Sequence, residues 1–331
     1  MSWIQFKFHT TRATAAELEA LLEANGAVSV TMMDAEDKPL FEPGVGETPL
    51  WDNLSVTGLF TEDTDTAHLQ KILSAAWFPL PLPTLQISTL AEQNWVRAWL
   101  DDFKPMCFGR RLWVCPTWWL ASKNGNCAGE WSPLAVDAAE WESRNHELLN
   151  AMQKSGTTIM QLDPGMAFGT GTHPTTALCL QWLDAQPLRG LALVDYGCGS
   201  GILGIAALLL GAQSVYGVDN DPQALVATHD NCTKNQLDSQ RFPVYLPAVF
   251  AQALAAGTIK PVDGMMANIL AVTLVQLAEL LALQVKQGGW ILLSGILCEQ
   301  AATVVQAYTP WFRDFVIATE NDWVCISAHR L

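Results

Sequence analysis

Residues 191–204 read Leu-Ala-Leu-Val-Asp-Tyr-Gly-Cys-Gly-Ser-Gly-Ile-Leu-Gly. Apolar and small residues run into Asp195, glycines follow at 197, 199 and 201, and an Ala/Leu-rich segment continues to Gly211. That succession spells a buried strand, a tight turn and the start of a helix. Glycine removes the Cβ and admits φ > 0, so a backbone built this way can approach a ligand closely.

Two ligands suit such a turn. A dinucleotide fingerprint, Gly-x-Gly-x-x-Gly, is legible at Gly199, Gly201 and Gly204, with Asp219 after the next strand to hold a ribose. An S-adenosylmethionine site uses the same strand-turn-helix geometry but opens with an acidic residue at the end of the first strand, as Asp195 does here, and has no pyrophosphate to place on the helix dipole. The flanking residues decide between them.

Downstream, a strand over 214–218 ends at Asp219, and Asn220-Asp221-Pro222 opens a helix to about Asn235. Asp221, directly before a proline at the first helical position, reads as the helix cap. That leaves Asp219 at the strand tip to accept both hydroxyls of a ribose. Further strands near 243–246, 262–267, 290–294, 312–318 and 323–329, with helices over 271–286 and 297–308, complete a seven-strand count. The fold class is α/β, a doubly wound Rossmann-like sheet. Asn268 stands at the carboxyl end of the fourth strand, facing the crevice where ligands of such sheets bind. Its side-chain carbonyl or its backbone carbonyl could hold an amine.

Upstream lies Leu162-Asp163-Pro164-Gly165-Met166-Ala167-Phe168-Gly169-Thr170-Gly171-Thr172-His173-Pro174-Thr175-Thr176. Glycines 165, 169 and 171 suit a flexible connector, but its position just ahead of the cofactor strand favours a lid or wall of the cofactor pocket, because loops beside such sites commonly close over ligands. Pro174 and the two threonines open an apolar helix ending near Trp182. His173 reads as a hydrogen-bonding residue at that helix start; as a lone histidine it is also a candidate base.

Residues 1–90 form a unit of their own. Strand 3–9, helix 14–25, strand 28–34, strand 54–60, helix 65–77 and strand 84–90 give β-α-β-β-α-β, the order of a ferredoxin-like α+β domain. Thr14 with Glu17 has capping-box spacing and Asn25-Gly26 is a helix stop. No catalytic constellation falls in it. Residues 91–119 are a linker helix, with Trp95, Trp99 and Phe103 on one face for packing, followed by a hairpin-like lead-in. Residues 120–156, with a short helix at 137–152, read as a surface insertion; the catalytic domain is 157–331.

At 331 residues the chain exceeds one typical domain, and half its residues are hydrophobic, as a buried α/β core requires. Its net charge of −15 argues against a phosphate-gripping surface, since sequence-independent nucleic-acid affinity comes from Lys and Arg. A basic protein partner is favoured. The eight cysteines are scattered with no Cys-x-x-Cys pair and no histidine at metal spacing, which reads as reduced thiols and no metal. No signal-peptide core or spanning apolar run appears, so the expectation is a cytoplasmic protein without a membrane partner.

Asp163–Thr176, Asp195–Leu203, Gly217-Val218-Asp219-Asn220-Asp221-Pro222 and Ala267-Asn268-Ile269-Leu270 resemble the bacterial methyltransferase family that acts on ribosomal large-subunit protein L-eleven. Asn94-Trp95-Val96 and the 104–116 region are similar to that family as well. The resemblance implies an N-terminal domain that holds the ribosomal protein, a linker, and a Rossmann-like domain using S-adenosylmethionine to methylate lysine or N-terminal amines. Cofactor contacts are implied at Thr176, Gly197, Asp219 and Asn268; Gly199 and Phe168 complete the candidate set, with Asn268 as the catalytic residue. The chain departs from the family pattern by apparent insertions around 120–156 and 249–260. Three rivals stand beside this reading. A nicotinamide oxidoreductase explains the glycines but not Asp195 or Asn268-Ile269-Leu270; an RNA methyltransferase is opposed by the acidic balance; and a non-catalytic ribosome-assembly factor leaves the cofactor residues without a purpose.

Overall fold

The computed structural model describes residues 2–36, 50–77, 80–90, 104–119, 146–153, 156–163 and 173–331. The chain divides into two compact units, Met1–Trp99 and Leu100–Leu331. The expected linker helix over 91–103, most of the 120–156 stretch and the glycine-containing loop 164–172 lie outside the described residues, although 146–152 are helical.

In the first unit, strands β1 (Trp3–Thr11), β2 (Ser29–Asp34), β3 (Asn53–Thr61) and β4 (Thr84–Leu90) enclose helices α1 (Arg12–Ala24) and α2 (Thr66–Ala76) in the chain order β-α-β-β-α-β. The sheet order β2-β3-β1-β4, antiparallel throughout, is ferredoxin-like. Alternation along the strands sends Phe6, Phe8, Leu54, Val56 and Phe60 to one face, where Leu18 and Leu22 of α1 and Leu69 and Leu73 of α2 cover them. Helix α1 starts earlier than the Thr14/Glu17 pattern implied. Its N-cap is Thr11, without a side-chain cap, and Thr14 Oγ1 lies 2.6 Å from Thr10 Oγ1. The strand running into the helix therefore displaces the capping box. The stop is as expected: Asn25 is the C-cap and Gly26 has φ +91°.

The second unit opens with a small sheet. Strands β5 (Met106–Phe108) and β6 (Leu112–Cys115) form the hairpin of the lead-in, and β7 (Thr158–Gln161) adds to β6 in parallel. That parallel pair was not legible in the sequence. The hairpin is bolted to α3 (Pro174–Ala185) by the buried Asp184, whose Oδ2 accepts from Arg110 N at 2.6 Å and whose Oδ1 accepts from Arg111 Nε at 3.1 Å.

The large sheet comprises β8 (Ala192–Tyr196), β9 (Ser214–Val218), β10 (Val244–Tyr245), β11 (Val262–Asn268), β12 (Val285–Leu297), β13 (Phe312–Glu320) and β14 (Trp323–Arg330). Its spatial order is β10-β9-β8-β11-β12-β14-β13. The first five strands are parallel; β14 and β13 are antiparallel additions. Helices α4 (Ile202–Leu209), α5 (Pro222–Lys234), α6 (Pro247–Ala255), α7 (Ala271–Gln276), α8 (Ala278–Gln284) and α9 (Ala301–Tyr308) supply the crossovers and covers. Strand neighbours point to opposite faces, so Leu193, Met266 and Leu292 join one core with Leu180 and Ile205, while Val194, Met265 and Ile291 join the other with Leu274, Leu281 and Val304. The single helix expected over 271–286 is two, broken at Leu277, and Val285 already belongs to β12. Buried positions continue at helical spacing across the bend, from Leu274 to Ala278 and Leu281, which is why periodicity alone does not register it. The helix expected from 297 begins as a 3₁₀ turn over Cys298–Gln300 and becomes α-helical at Ala301. Among the described residues no helix is long and apolar enough to cross a membrane.

Gly264 of β11 lies against the Trp290 indole, and a Cβ there would overlap the ring. Gly264→Ala should therefore cost about 1–3 kcal/mol through overpacking. A thermal midpoint equal to that of the native protein would show that the ring yields without cost.

Candidate functional site

The sheet reverses direction of growth between β8 and β11, and the crevice outside the carboxyl ends of these strands is where doubly wound sheets bind ligands. The turn after β8 fills one side of it. Gly197, Gly199 and Gly201 have φ of +79°, +53° and +79°, a region that costs L-residues with side chains dearly. Gly197 also has no room for a Cβ, which would strike Ile269 Cγ2.

Four side chains hold this turn. Asp195 Oδ2 accepts from Gly204 N at 2.9 Å, so the strand-end carboxylate caps the first turn of α4. Asp219 Oδ2 accepts from Gly199 N at 2.9 Å and its Oδ1 from Asp221 N at 3.0 Å. Thr228 Oγ1 donates to Gly199 O at 3.0 Å and Asn231 Nδ2 to Ser200 O at 2.9 Å. The two α5 residues carried no signal in the sequence. Asp221 is the expected cap, its side chain accepting from Gln223 N ahead of the helix proper.

The opposite side comes from β11 and α3. His173 is the N-cap of α3, its side chain accepting from Thr175 N, and its ring meets the Trp323 ring edge-on at 4.8 Å between centroids. Burial lowers the His173 pKa. Thr176, one turn in, is wholly buried, and Asn268 Nδ2 donates to its Oγ1 at 3.2 Å. With the amide turned this way, Asn268 offers its Oδ1 as an acceptor.

A cavity of about 220 Å³ joins these parts. Thr176, Gly197, Gly199, Asp219 and Asn268, five of the six candidates, all line it. Phe168, the sixth, lies outside the described residues. Asp195, Asn220 and Ile269 complete much of the wall. Two carboxylates thus share one small space. Burial pushes Asp195 up to about 7; the Gly204 hydrogen bond opposes that rise and the nearby Asp219 charge adds to it. Among the described residues no group of three or more His, Cys, Asp or Glu side chains could hold a metal ion.

A family model described as ribosomal protein L11 methyltransferase (PrmA) matches residues 2–128 and 128–331. The ribosomal protein L11 methyltransferase of Azotobacter vinelandii is 46% identical over 337 residues, covering all of both chains. That of Cellvibrio japonicus is 45% identical over 328 residues, covering 99% of this chain and 98% of its own. A crystal structure of the ribosomal protein L11 methylase from Lactobacillus delbrueckii subsp. bulgaricus superposes with a TM-score of 0.51 at 25% identity, covering 69% of this chain and 99% of that one.

The raised Asp195 pKa has a measurable sign. Between the ordinary value of 3.8 and about 7 the folded protein keeps a proton that the unfolded chain has lost. The contribution to stability is therefore complete below about pH 4 and lost as pH rises through about 7. Asp195→Asn keeps an acceptor for Gly204 and removes the titration, so the fall in thermal midpoint from about pH 5 to 8 becomes shallower. Superimposable pH profiles for the two proteins would mean that Asp195 ionises as an ordinary carboxylate.

Proposed function

This chain belongs to the ribosomal protein L11 methyltransferase family, and on that premise we propose an S-adenosylmethionine-dependent protein N-methyltransferase that modifies lysine or N-terminal amines of ribosomal protein L11. The observation that carries the reading is the Asn268–Thr176 pair, which sets an amide acceptor at the carboxyl end of β11 in the same cavity as the glycine turn and Asp219.

The residues present fit the donor. Each Asp219 oxygen accepts one backbone N–H and retains a lone pair, so the carboxylate can take two ribose hydroxyls without giving up the loop. Gly197 and Gly199 bring backbone rather than side chain to the cavity wall. Thr176, Gly197, Gly199, Asp219 and Asn268 hold the donor in this reading, with Phe168 as a further contact from the preceding loop.

The donor, when bound, supplies a methyl group activated by sulfonium; the remaining work falls to the chain. Lysine has a reference pKa near 10.4, so at neutral pH on the order of one amine in a thousand is neutral, a cost of roughly 4 kcal/mol. Alignment supplies on the order of 7–11 kcal/mol, so no strong base is needed. Asn268 Oδ1 accepts an N–H of the neutral amine and points its lone pair toward the transfer path. Thr176 keeps the amide from rotating. No base is assigned; Asp195 Oδ2 is held by Gly204 N.

Residues 1–90 recognise the ribosomal protein in this reading, since they hold no candidate catalytic group and binding energy made remotely holds a lysine at the donor. L11 is met free or on the ribosome, in the cytoplasm, without strong nucleic-acid contacts of the enzyme's own, as the net charge of −15 favours.

Mass spectrometry of L11 incubated with the protein and S-adenosylmethionine should show whole methyl increments; an unmodified mass would remove the proposal. In the same assay a chain of residues 100–331, shown to be folded by circular dichroism, should bind the donor yet methylate L11 far more slowly. Full activity of that shorter chain would mean that the catalytic unit recognises L11 alone.

Asn268→Ala should lower kcat by more than it weakens S-adenosylmethionine binding, because its Oδ1 is assigned to the amine. Equal losses in calorimetric affinity and kcat would make Asn268 a donor residue only.

A further inference from the structure

The glycine turn presents backbone to the cavity, and its carbonyls must point somewhere else. Gly199 O and Ser200 O point into the protein, toward α5, where Thr228 Oγ1 and Asn231 Nδ2 donate to them at 3.0 and 2.9 Å. The two side chains sit three residues apart on one face of the helix, Thr228 wholly buried and Asn231 nearly so. Neither lines the cavity.

Thr228 uses both of its branches. Its hydroxyl binds Gly199 O, and its methyl lies where a Cβ on Gly201 would come within 2.8 Å, so the methyl packs against the bare Cα of the α4 N-cap. The same Gly199 residue is gripped on its other side, N–H to Asp219 Oδ2 at 2.9 Å. Asp219 in turn accepts from Asp221 N, the N-cap of the helix that carries Thr228 and Asn231. One helix therefore fixes the turn and the strand-tip carboxylate against each other.

We infer that Thr228 and Asn231 are positioning residues for the methyl donor: by holding the Gly199 and Ser200 carbonyls away from the cavity, they set how tightly the turn and Asp219 grip the donor together. The inference rests on the reading of this cavity as the S-adenosylmethionine site. Asn268 and Thr176, which orient the amine, are held from β11 and α3 and not from α5, so loss of the α5 clamp acts on donor affinity ahead of the chemical step.

Thr228→Val keeps the shape and deletes the hydroxyl; Thr228→Ser keeps the hydroxyl and deletes the methyl. Calorimetry with S-adenosylmethionine on the full chain, well below each thermal midpoint, should show donor affinity lowered about tenfold in Thr228→Val. Thr228→Ser should recover most of that loss, and kcat at saturating donor should fall less than affinity in both. Asn231→Asp, which removes the donated N–H, should weaken donor binding in the same direction, and it carries the test if Thr228→Val does not fold. Native donor affinity in Thr228→Val, or in Asn231→Asp where that variant stands in, overturns the inference. So does a serine variant no better than valine. Absence of S-adenosylmethionine binding by the native chain instead overturns the reading of the cavity, and with it this inference.

Discussion

A backbone that passes through left-handed conformations at Gly197, Gly199 and Gly201 has no side chains at those three positions with which to hold its shape. Glycine carries the largest conformational entropy to lose on folding, so much of the order of this turn comes from outside it. The four polar side chains that hold it come from three elements: Asp195 from β8, Asp219 from the end of β9, Thr228 and Asn231 from α5. The parallel sheet is what brings these elements to one edge, and its two cores keep them there. The raised pKa of Asp195 follows from the same arrangement, because a carboxylate buried to cap a helix loses the water that would stabilise its charge.

The other half of the site depends on α3. The helix is seated at its C-terminal end by Asp184 on the β5–β6 hairpin and at its N-terminal end by the His173 ring against Trp323. Between them Thr176 reaches Asn268 across 92 residues of sequence. The β8, β9 and α5 side of the cavity and the β11 and α3 side are thus separately supported, and the crevice lies between the two.

The turn at 195–204, the Asp221-Pro222 helix start and the whole order of the first unit were legible because each is written in adjacent residues: alternation, glycine spacing, a cap beside a proline. Asn268 was legible by position, at the tip of a strand whose place in the sheet the rhythm implied. Thr228 and Asn231 were not. On a helix of mixed polarity a threonine and an asparagine look like residues facing water, and only the fold turns them onto the carbonyls of a loop about thirty positions away. The β6–β7 pair was hidden for a related reason, since a parallel partner beyond a long intervening segment leaves no local turn signal. The Thr14/Glu17 pattern misled because a local pattern does not know that the preceding strand continues to Thr11.

Strand β14 follows β13 in the chain yet lies inside it, between β13 and β12. The two are joined by a short turn with Asn321 at φ +54°, so they can pair with each other as a local hairpin within microseconds. Neither belongs to the large sheet until β14 meets β12, a contact between less local partners and so slower to form. The consequence concerns the order of folding. Helix α3 rests on β14 through Cys179, whose sulfur is 3.9 Å from that of Cys325, and through His173 on Trp323. Until the hairpin docks, α3 lacks that support at its N-terminal end, where Thr176 meets Asn268. The glycine turn, whose side-chain hydrogen bonds come from β8, the end of β9 and α5, does not wait on that docking, whereas the α3 side of the cavity is complete only after it.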